Sequence, residues 1–595
     1  MTGGRYFVFL ANDAATGERW RAALTAKAAH AGFDVTLASR DATVLTTRAA
    51  LRVDNRGGDR GAEDCDGDDS GVVIGSAFRR GEVAAAATLT ASEAQMLRDT
   101  RGGALIDLFW GDYVAILPDP HDGTSVVRAP FGDLACYYHA CPAGMMLASD
   151  IDLLMRLGDY APRFELDAIA AHLIAADIRH PATCLAGVRE LTGGERLSLR
   201  GNASVEVIWS PWSCVTRERR CDDAALAARR VADTVCEVVA ARTAHHDVTI
   251  LLLSGGLDSS IVAAALARAQ RCCTAITMVT RDAGGDERAH ARATASHLAM
   301  PLIEIVRDTA MVDIAHSAAA GLPYPIARSF SQATMRAAET AAASLGASAI
   351  VHGGGGDNVF CALQSAAPVA DLILAGKIGT DLPNLARDIA ALAQTTTFAV
   401  LQQAMARVWR GRPDYRWRGD TSLLSVDAAG QREAALAHPW LAAPPGTMPG
   451  SAAHVALVLG ALSLVQSPDA RASLPSIAVL LAQPVIEACL SVPTWRWFDR
   501  GRNRAIARHG FSAMLPPGIA WRRSKGAMDS FIVELFERHR THLKSLLLDG
   551  MLAAYGLLDR AAIAAVLDDT APTRGHDYAR VMRLADVEVW LRSWA

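Results

Sequence analysis

The chain has 595 residues, 51% of them hydrophobic and 21% charged, with a formal net charge of −4. That length exceeds a single core and calls for two or more domains; the composition is that of a soluble globular protein, and the near-neutral balance offers nothing to nucleic acid or an anionic membrane. No apolar run approaches the ~20 residues of a membrane span, and Phe7–Ala11 is too short, and lacks the cationic flank, for a secretory h-region. Eleven cysteines, including adjacent Cys272-Cys273 and no Cys-x-x-Cys pair, read as reduced core residues rather than a disulfide framework or zinc site. A cytoplasmic protein is expected.

The first 210 residues carry short strand candidates at Tyr6–Leu10, Val72–Ile74, Tyr113–Leu117, Ser125–Val127 and Met145–Leu147, separated by Gly, Asp and Pro turns. Arg52 to Gly71 is rich in Asp and Gly without periodicity and reads as a mobile loop. Trp110-Gly-Asp-Tyr113, Pro130-Phe-Gly-Asp133, Tyr137-Tyr138 and Ala148-Ser-Asp150 resemble segments of the glutamine amidotransferase domain of asparagine-synthetase-like proteins. The resemblance implies a β-sandwich of the N-terminal-nucleophile type, whose active members expose a cysteine at position 2. Here that position is Thr2, and residues 40–100 lack the arginine and Asn-Gly segments that hold glutamine in the family. A threonine is a chemically possible nucleophile, but a scaffold without glutaminase activity is the expectation. Leu166–Ala176 follows as an amphipathic helix, and Gly187–Leu197 resembles the family's connector. Trp209-Ser-Pro-Trp212 and the charged Arg217–Asp223 cluster mark a boundary near 210–222, giving domains at 1–212 and 222–595.

After a long helix at Ala224–Val239, the run Val248-Thr-Ile-Leu-Leu-Leu253 reads as a buried parallel strand. It stops at Ser254-Gly-Gly-Leu-Asp258-Ser-Ser260, and a helix continues from Ser259 to Gln270. Strand, glycine turn and helix N-terminus together form an anion site, because free N–H groups converge there and the helix dipole favours negative charge. Asp258 beside a phosphate needs a cation between them, for which Mg²⁺ is the natural choice. Strands at Thr274–Thr280, Leu302–Val306 and Ala349–Val351 alternate with helices at Asp286–Ala299 and Ser329–Leu345, as a doubly wound sheet requires. The fourth strand runs into His352-Gly-Gly-Gly-Gly356-Asp357-Asn358, so two glycine-rich strand ends are expected to wall one site near a topological switch point. Asp357 then either shares the metal with Asp258 or caps the next helix. Residues 366–450 bring helices at Leu385–Ala393 and Thr397–Trp409 and a Pro-rich loop, Pro439–Pro449: a lining for a peptide channel, or an ordinary helical lid.

The Ser-Gly-Gly-Xaa-Asp-Ser pattern is that of the ATP pyrophosphatases, which activate a carboxylate as an adenylate and release pyrophosphate. His352–Phe360, the acidic pair Asp286-Glu287, Leu474–Pro484 and Arg522-Arg-Ser-Lys525-Gly526 resemble the corresponding asparagine synthetase segments. The resemblance implies an ATP-dependent, AMP-forming carbon–nitrogen ligase. The candidate nucleotide contacts are Leu252, Ser254, Gly255, Gly256, Leu257, Asp258, Ser259, Ser260, Val279 and Gly353; Asp258 and Asp357 would hold Mg²⁺, and Lys525 joins them as a catalytic residue. Where asparagine synthetases carry Glu and β-lactam synthetases Tyr, this chain has Gly354. Together with Trp110–Tyr113, His352–Cys361, Leu481-Ala-Gln-Pro484 and Arg523–Gly526, that departure resembles the lasso peptide cyclases. Those adenylate an Asp or Glu side chain of a leaderless precursor peptide and close an isopeptide ring with its N-terminal amine. An α-amine of pKa about 7.7–8.0 is roughly a fifth to a third free base near pH 7.4, so the missing side chain is tolerable. His352 is a candidate replacement base, or a structural residue at the strand end. The partners implied are the precursor peptide, a cysteine peptidase and a leader-binding protein. Asparagine or β-lactam synthesis, and a non-catalytic peptide-binding scaffold, are the alternatives.

Overall fold

A computed structural model describes residues 4–53, 70–119, 123–199, 203–282, 285–411, 415–464, 471–472, 474–523, 526, 529–571, 573 and 575–595. The expected loop at 52–71 lies mostly outside them, as do Thr2 and Lys525.

The N-terminal part is four layers deep. One six-stranded antiparallel sheet has the spatial order Val188–Glu190, Tyr137–Cys141, Gly144–Ala148, Tyr6–Ala11, Ala42–Thr46, Asp34–Ala38. The other runs Ser204–Val207, Glu195–Ser198, Gly123–Arg128, Phe109–Asp119, Gly71–Arg79, Leu51–Val53. Successive side chains of a strand point to opposite faces. Tyr6, Val8 and Leu10 therefore meet Ile74, Val114 and Ile116 between the sheets. Phe7 and Phe9 face the other way, toward Leu24 and Ala28 of the helix Ala14–Ala31. On the far side Val73, Tyr113 and Ala115 pack on Leu97 and Leu105 from two short helices. The five expected strands are present and longer than read; the other seven carry short or mixed apolar runs that their sequence alone does not announce.

The parallel sheet has the order Leu302–Val306, Cys273–Val279, Thr249–Leu252, Ala349–His352, Ser476–Ala478. Its central strands are apolar on both faces because both are covered. Ile250, Ile276 and Ile350 pack on Ala338, Ala341 and Ala342 of the helix Gln332–Leu345. Leu251, Ala275 and Val351 face Val235 of the helix Ala224–Arg242 and Val262 of the helix Leu257–Arg268. Strand order reverses between Thr249–Leu252 and Ala349–His352, which creates the crevice where open α/β sheets bind ligands. The fifth strand, three residues long, had no periodicity to reveal it.

The two parts are clasped by charge. Arg242, the last residue of its helix, reaches both Asp112 and Asp133 across the junction, the latter at 2.8 Å. Asp112 Oδ1 in turn accepts the Asp133 N–H at 2.9 Å. The Trp-Gly-Asp-Tyr and Pro-Phe-Gly-Asp segments thus hold the junction. Arg80–Glu487, at 2.8 Å, spans it a second time. Among the described residues no helix is long and apolar enough to cross a membrane, and the ten described cysteines are all free.

Candidate functional site

The strand Thr249–Leu252 delivers the chain to Ser254, and the loop folds back on its own helix. Ser254 N–H donates to Ser259 Oγ at 3.2 Å, and Ser259 Oγ donates to the Gly256 carbonyl at 3.3 Å. Gly255 adopts φ +69°, and a Cβ there would stand 2.6 Å from His290 and Ala291, so only glycine lets the loop lie on the helix Arg288–His297. The helix Leu257–Arg268 begins at Gly256 with no side chain capping it, leaving first-turn N–H groups for an anion.

The neighbouring strand ends at His352, and proximity explains two of the four glycines that follow. A Cβ at Gly353 would be 2.8 Å from the Asp258 backbone, and one at Gly356 only 2.5 Å from Asp258 Cγ. The second strand end therefore lies directly against the first. Asp357 lies inside the first turn of Gly356–Val359, whose N-cap is Gly355. It points to Arg504, with Oδ1 at 2.5 Å from Nη1. The same Nη1 lies 3.0 and 3.1 Å from the two oxygens of Asp258. One guanidinium thus bridges the two carboxylates that the sequence paired.

His352 Nδ1 accepts the Gly354 N–H at 3.1 Å, and burial pushes its pKa down to about 4. It is neutral at physiological pH, poorly suited to take a proton from an ammonium, and its contact holds the glycine turn. The geometry supports the structural reading of this histidine.

Cations close the other side of the site. Arg504 has left-handed backbone (φ +57°), and its buried Nε has no hydrogen-bond partner among the described residues. Arg508 gives its guanidinium to the carbonyls of Asn503 (2.8 Å) and Ala520 (2.6 Å), and burial, reinforced by Arg504 and Arg502, pushes its pKa down to about 10. Arg522 pairs with Glu287 at 2.7 Å and with the Gly255 carbonyl at 3.2 Å. Gly526 N–H donates to the same Glu287 carboxylate at 2.6 Å. Glu287, at the start of the helix Arg288–His297, therefore holds Arg522 and Gly526, the residues on either side of Lys525 in sequence, and Arg522 carries the link on to the glycine loop. The acidic pair divides its labour, because Asp286 pairs with Arg288 instead.

Arg504, Arg508 and Arg522, with the two glycine-rich strand ends, line a cavity of about 1140 Å³. Of the expected contacts, Leu252, Ser254, Gly256, Leu257, Asp258, Ser259, Gly353 and Asp357 are on its wall, as is Gly354. Gly255, Ser260 and Val279 are not: Gly255 packs against the neighbouring helix, and Ser260 is fully buried with its hydroxyl 3.2 Å from that of Thr294. Val279 is buried, its carbonyl accepting the Arg307 N–H at 2.8 Å. Sequence reading passed over Arg307, Arg504 and Arg508. The far wall carries Arg307, with Thr334 3.3 Å from its Nη2.

No cluster of three or more His, Cys, Asp or Glu able to hold a metal occurs among the described residues. Two hard carboxylates next to orphaned guanidinium N–H groups fit Mg²⁺ that arrives on phosphate oxygens, the ion's common mode of binding. They do not fit a metal held by protein alone.

The sequence profile described as asparagine synthase matches residues 230–592. A comparison with curated proteins returned no match. Among solved structures, glutamine phosphoribosylpyrophosphate amidotransferase from B. subtilis, complexed with ADP and GMP, is similar over 54% of this chain and 84% of its own. It shows 10% identity and a TM-score of 0.21. A structure of the allosteric regulatory enzyme of purine biosynthesis is alike over 54% and 83%, at 10% identity and TM-score 0.22. Likenesses that weak carry no argument about this chain.

Proposed function

The chain belongs to the asparagine synthase family of ATP-dependent amide-forming ligases, and from that premise we propose that it closes a macrolactam within a peptide. The activated carboxylate is an Asp or Glu side chain, and the nucleophile is the same peptide's N-terminal amine. Adenylation releases pyrophosphate, and attack of the amine releases AMP. In this reading residues 1–212 are a retained glutaminase-like scaffold, residues 222–595 the synthetase. Asp258 and Asp357 would hold Mg²⁺, the loop at Ser254–Ser259 would cradle the phosphates, and Lys525 would meet the oxyanion formed as the amine attacks. Mg²⁺, when bound, supplies neutralisation of the leaving pyrophosphate.

The observation that carries the reading is Gly354. It lines the cavity at the position where, by resemblance, asparagine and β-lactam synthetases carry Glu or Tyr, and it brings no side chain there. An α-amine needs little help to lose its proton near neutral pH, unlike a lysine of pKa about 10.4. The cavity volume, about 1140 Å³, also exceeds the roughly 300–1,000 Å³ of a small-molecule site, leaving room for ATP and a folded peptide segment.

Pyrophosphate exchange into ATP tests it. A panel of peptides with a free N-terminus and one Asp or Glu at successive positions should support exchange that free aspartate and (carboxyethyl)arginine do not. Exchange driven by free aspartate alone would assign the chain to asparagine synthesis instead.

A further inference from the structure

Two carboxylates brought face to face repel one another unless a cation lies between them. In this molecule that place is taken by Arg504, whose Nη1 is 3.0 Å from Asp258 and 2.5 Å from Asp357. A dication bound to both carboxylates and a guanidinium bridging them would be like charges competing for the same oxygens. The pair is well sequestered on one side: Arg504 and Asp258 are each 13% exposed, while Asp357 is 43% exposed and open to the cavity. Asp258 Cγ occupies the space that a Cβ at Gly356 would need, 2.5 Å from it, so the two strand ends meet at this carboxylate.

We propose that Arg504 is a built-in substitute for the metal, closing Asp258 and Asp357 to free Mg²⁺ and yielding them only when ATP phosphates draw its guanidinium away. The inference rests on the metal role given to Asp258 and Asp357 above. It adds an order of events: the dication enters with the nucleotide and does not precede it.

Two independent features support the exchange. Arg504 is held in left-handed backbone at the entry to the helix Ala505–Phe511, a conformation that costs a non-glycine residue energy and accumulates at sites that switch. Its Nε is buried without an acceptor among the described residues, so the closed pairing leaves this side chain under-satisfied. Phosphate oxygens would supply the missing acceptors, with Arg522 already anchored at the adjoining Gly255 carbonyl.

Mn²⁺, which reports its own binding by paramagnetic resonance, is the probe, titrated into the full-length protein without nucleotide or peptide. The wild type should take up Mn²⁺ poorly alone and readily with α,β-methylene-ATP. Arg504→Gln should bind Mn²⁺ without nucleotide at least about tenfold more tightly, a difference that follows from removing a like charge from the site. Adding Asp258→Asn to Arg504→Gln should abolish the gain. Unchanged or weaker Mn²⁺ binding by folded Arg504→Gln overturns the proposal. If that variant does not fold, the wild type decides. Tight nucleotide-free Mn²⁺ binding lost in Asp258→Asn would show that the arginine excludes nothing, and nucleotide-dependent binding unaffected by Asp258→Asn would remove the metal role itself. No arm contains peptide, so the outcome leaves the choice between ring closure and asparagine synthesis to its own assay.

Discussion

Replacing Asp258 by Asn keeps its volume against Gly353 and Gly356 but removes half of the charge that Arg504 bridges. If the two carboxylates hold Mg²⁺ as proposed, losing one leaves pyrophosphate charge uncompensated in a poorly solvated site, which should cost several kcal/mol of transition-state stabilisation. Asp258→Asn and Asp357→Asn should therefore each reduce peptide-dependent pyrophosphate exchange by at least about a hundredfold, roughly 2.7 kcal/mol. Near-wild-type exchange in either folded variant would refute the assignment. Lys525 calls for a different readout, because its proposed task comes after adenylation. Lys525→Ala should abolish ring closure while an ATP titration changes little, and Lys525→Arg should fail too, a planar fork being a poor substitute for a compact ammonium. Ring-closed product at wild-type rate from Lys525→Ala would make it surface charge. At this scale the sequence was readable where a motif fixes spacing. Asp258 and Asp357 could be paired from two glycine-rich strand ends. Arg504 could not, because it sits in a cationic run, Arg500–Arg508, in which nothing distinguishes one arginine from the next.

Elements whose faces are both covered gave the clearest signal. Ile250–Leu252 and Ala349–Val351 are unbroken apolar runs because helices lie on either side, and both were legible as strands. Asp34–Ala38 and Leu51–Val53 end their sheets, with exposed positions interrupting the apolar pattern. Ser476–Ala478 is placed by its neighbour rather than by its own residues. The helix Pro449–Leu459 makes a testable contribution to the site's stability. His454, 1% exposed, has its Nε2 2.8 Å from the Val359 carbonyl in the turn that carries Asp357. Burial pushes its pKa down to about 4, below the unfolded value of about 6.5. The stabilisation is thus fully present above about pH 6.5 and is lost as pH falls toward 4, because the unfolded chain takes up the proton first. At pH 5 the loss is about 2 kcal/mol from this group. Thermal melts from pH 7 to pH 5 should show that decline, and His454→Gln should melt lower at pH 7 but fall less steeply. Equal slopes for the two proteins would contradict the linkage.

For the molecule as a whole, the resemblance reached further than the residue patterns did. The four-layer N-terminal part agrees with the sandwich it implied, and the Trp110–Tyr113 and Pro130–Asp133 segments hold Arg242 at the junction. Composition could not foresee that, since the arginine is more than a hundred residues away from both. With Thr2 in place of cysteine, glutamine is not expected to feed the reaction. Glutamate release from glutamine in the presence of ATP and Mg²⁺ should stay at background, and steady turnover abolished by Thr2→Ala would contradict this. The central claim is that the amine and the activated carboxylate belong to one peptide. The most direct test is mass spectrometry of the peptide panel after incubation with enzyme, ATP and Mg²⁺, with tandem fragmentation to locate the new bond. Ring closure within one peptide predicts a product lighter by one water, an isopeptide between the N-terminus and an Asp or Glu side chain, and AMP in equal amount. Peptides recovered unchanged while free aspartate and ammonia become asparagine would contradict it.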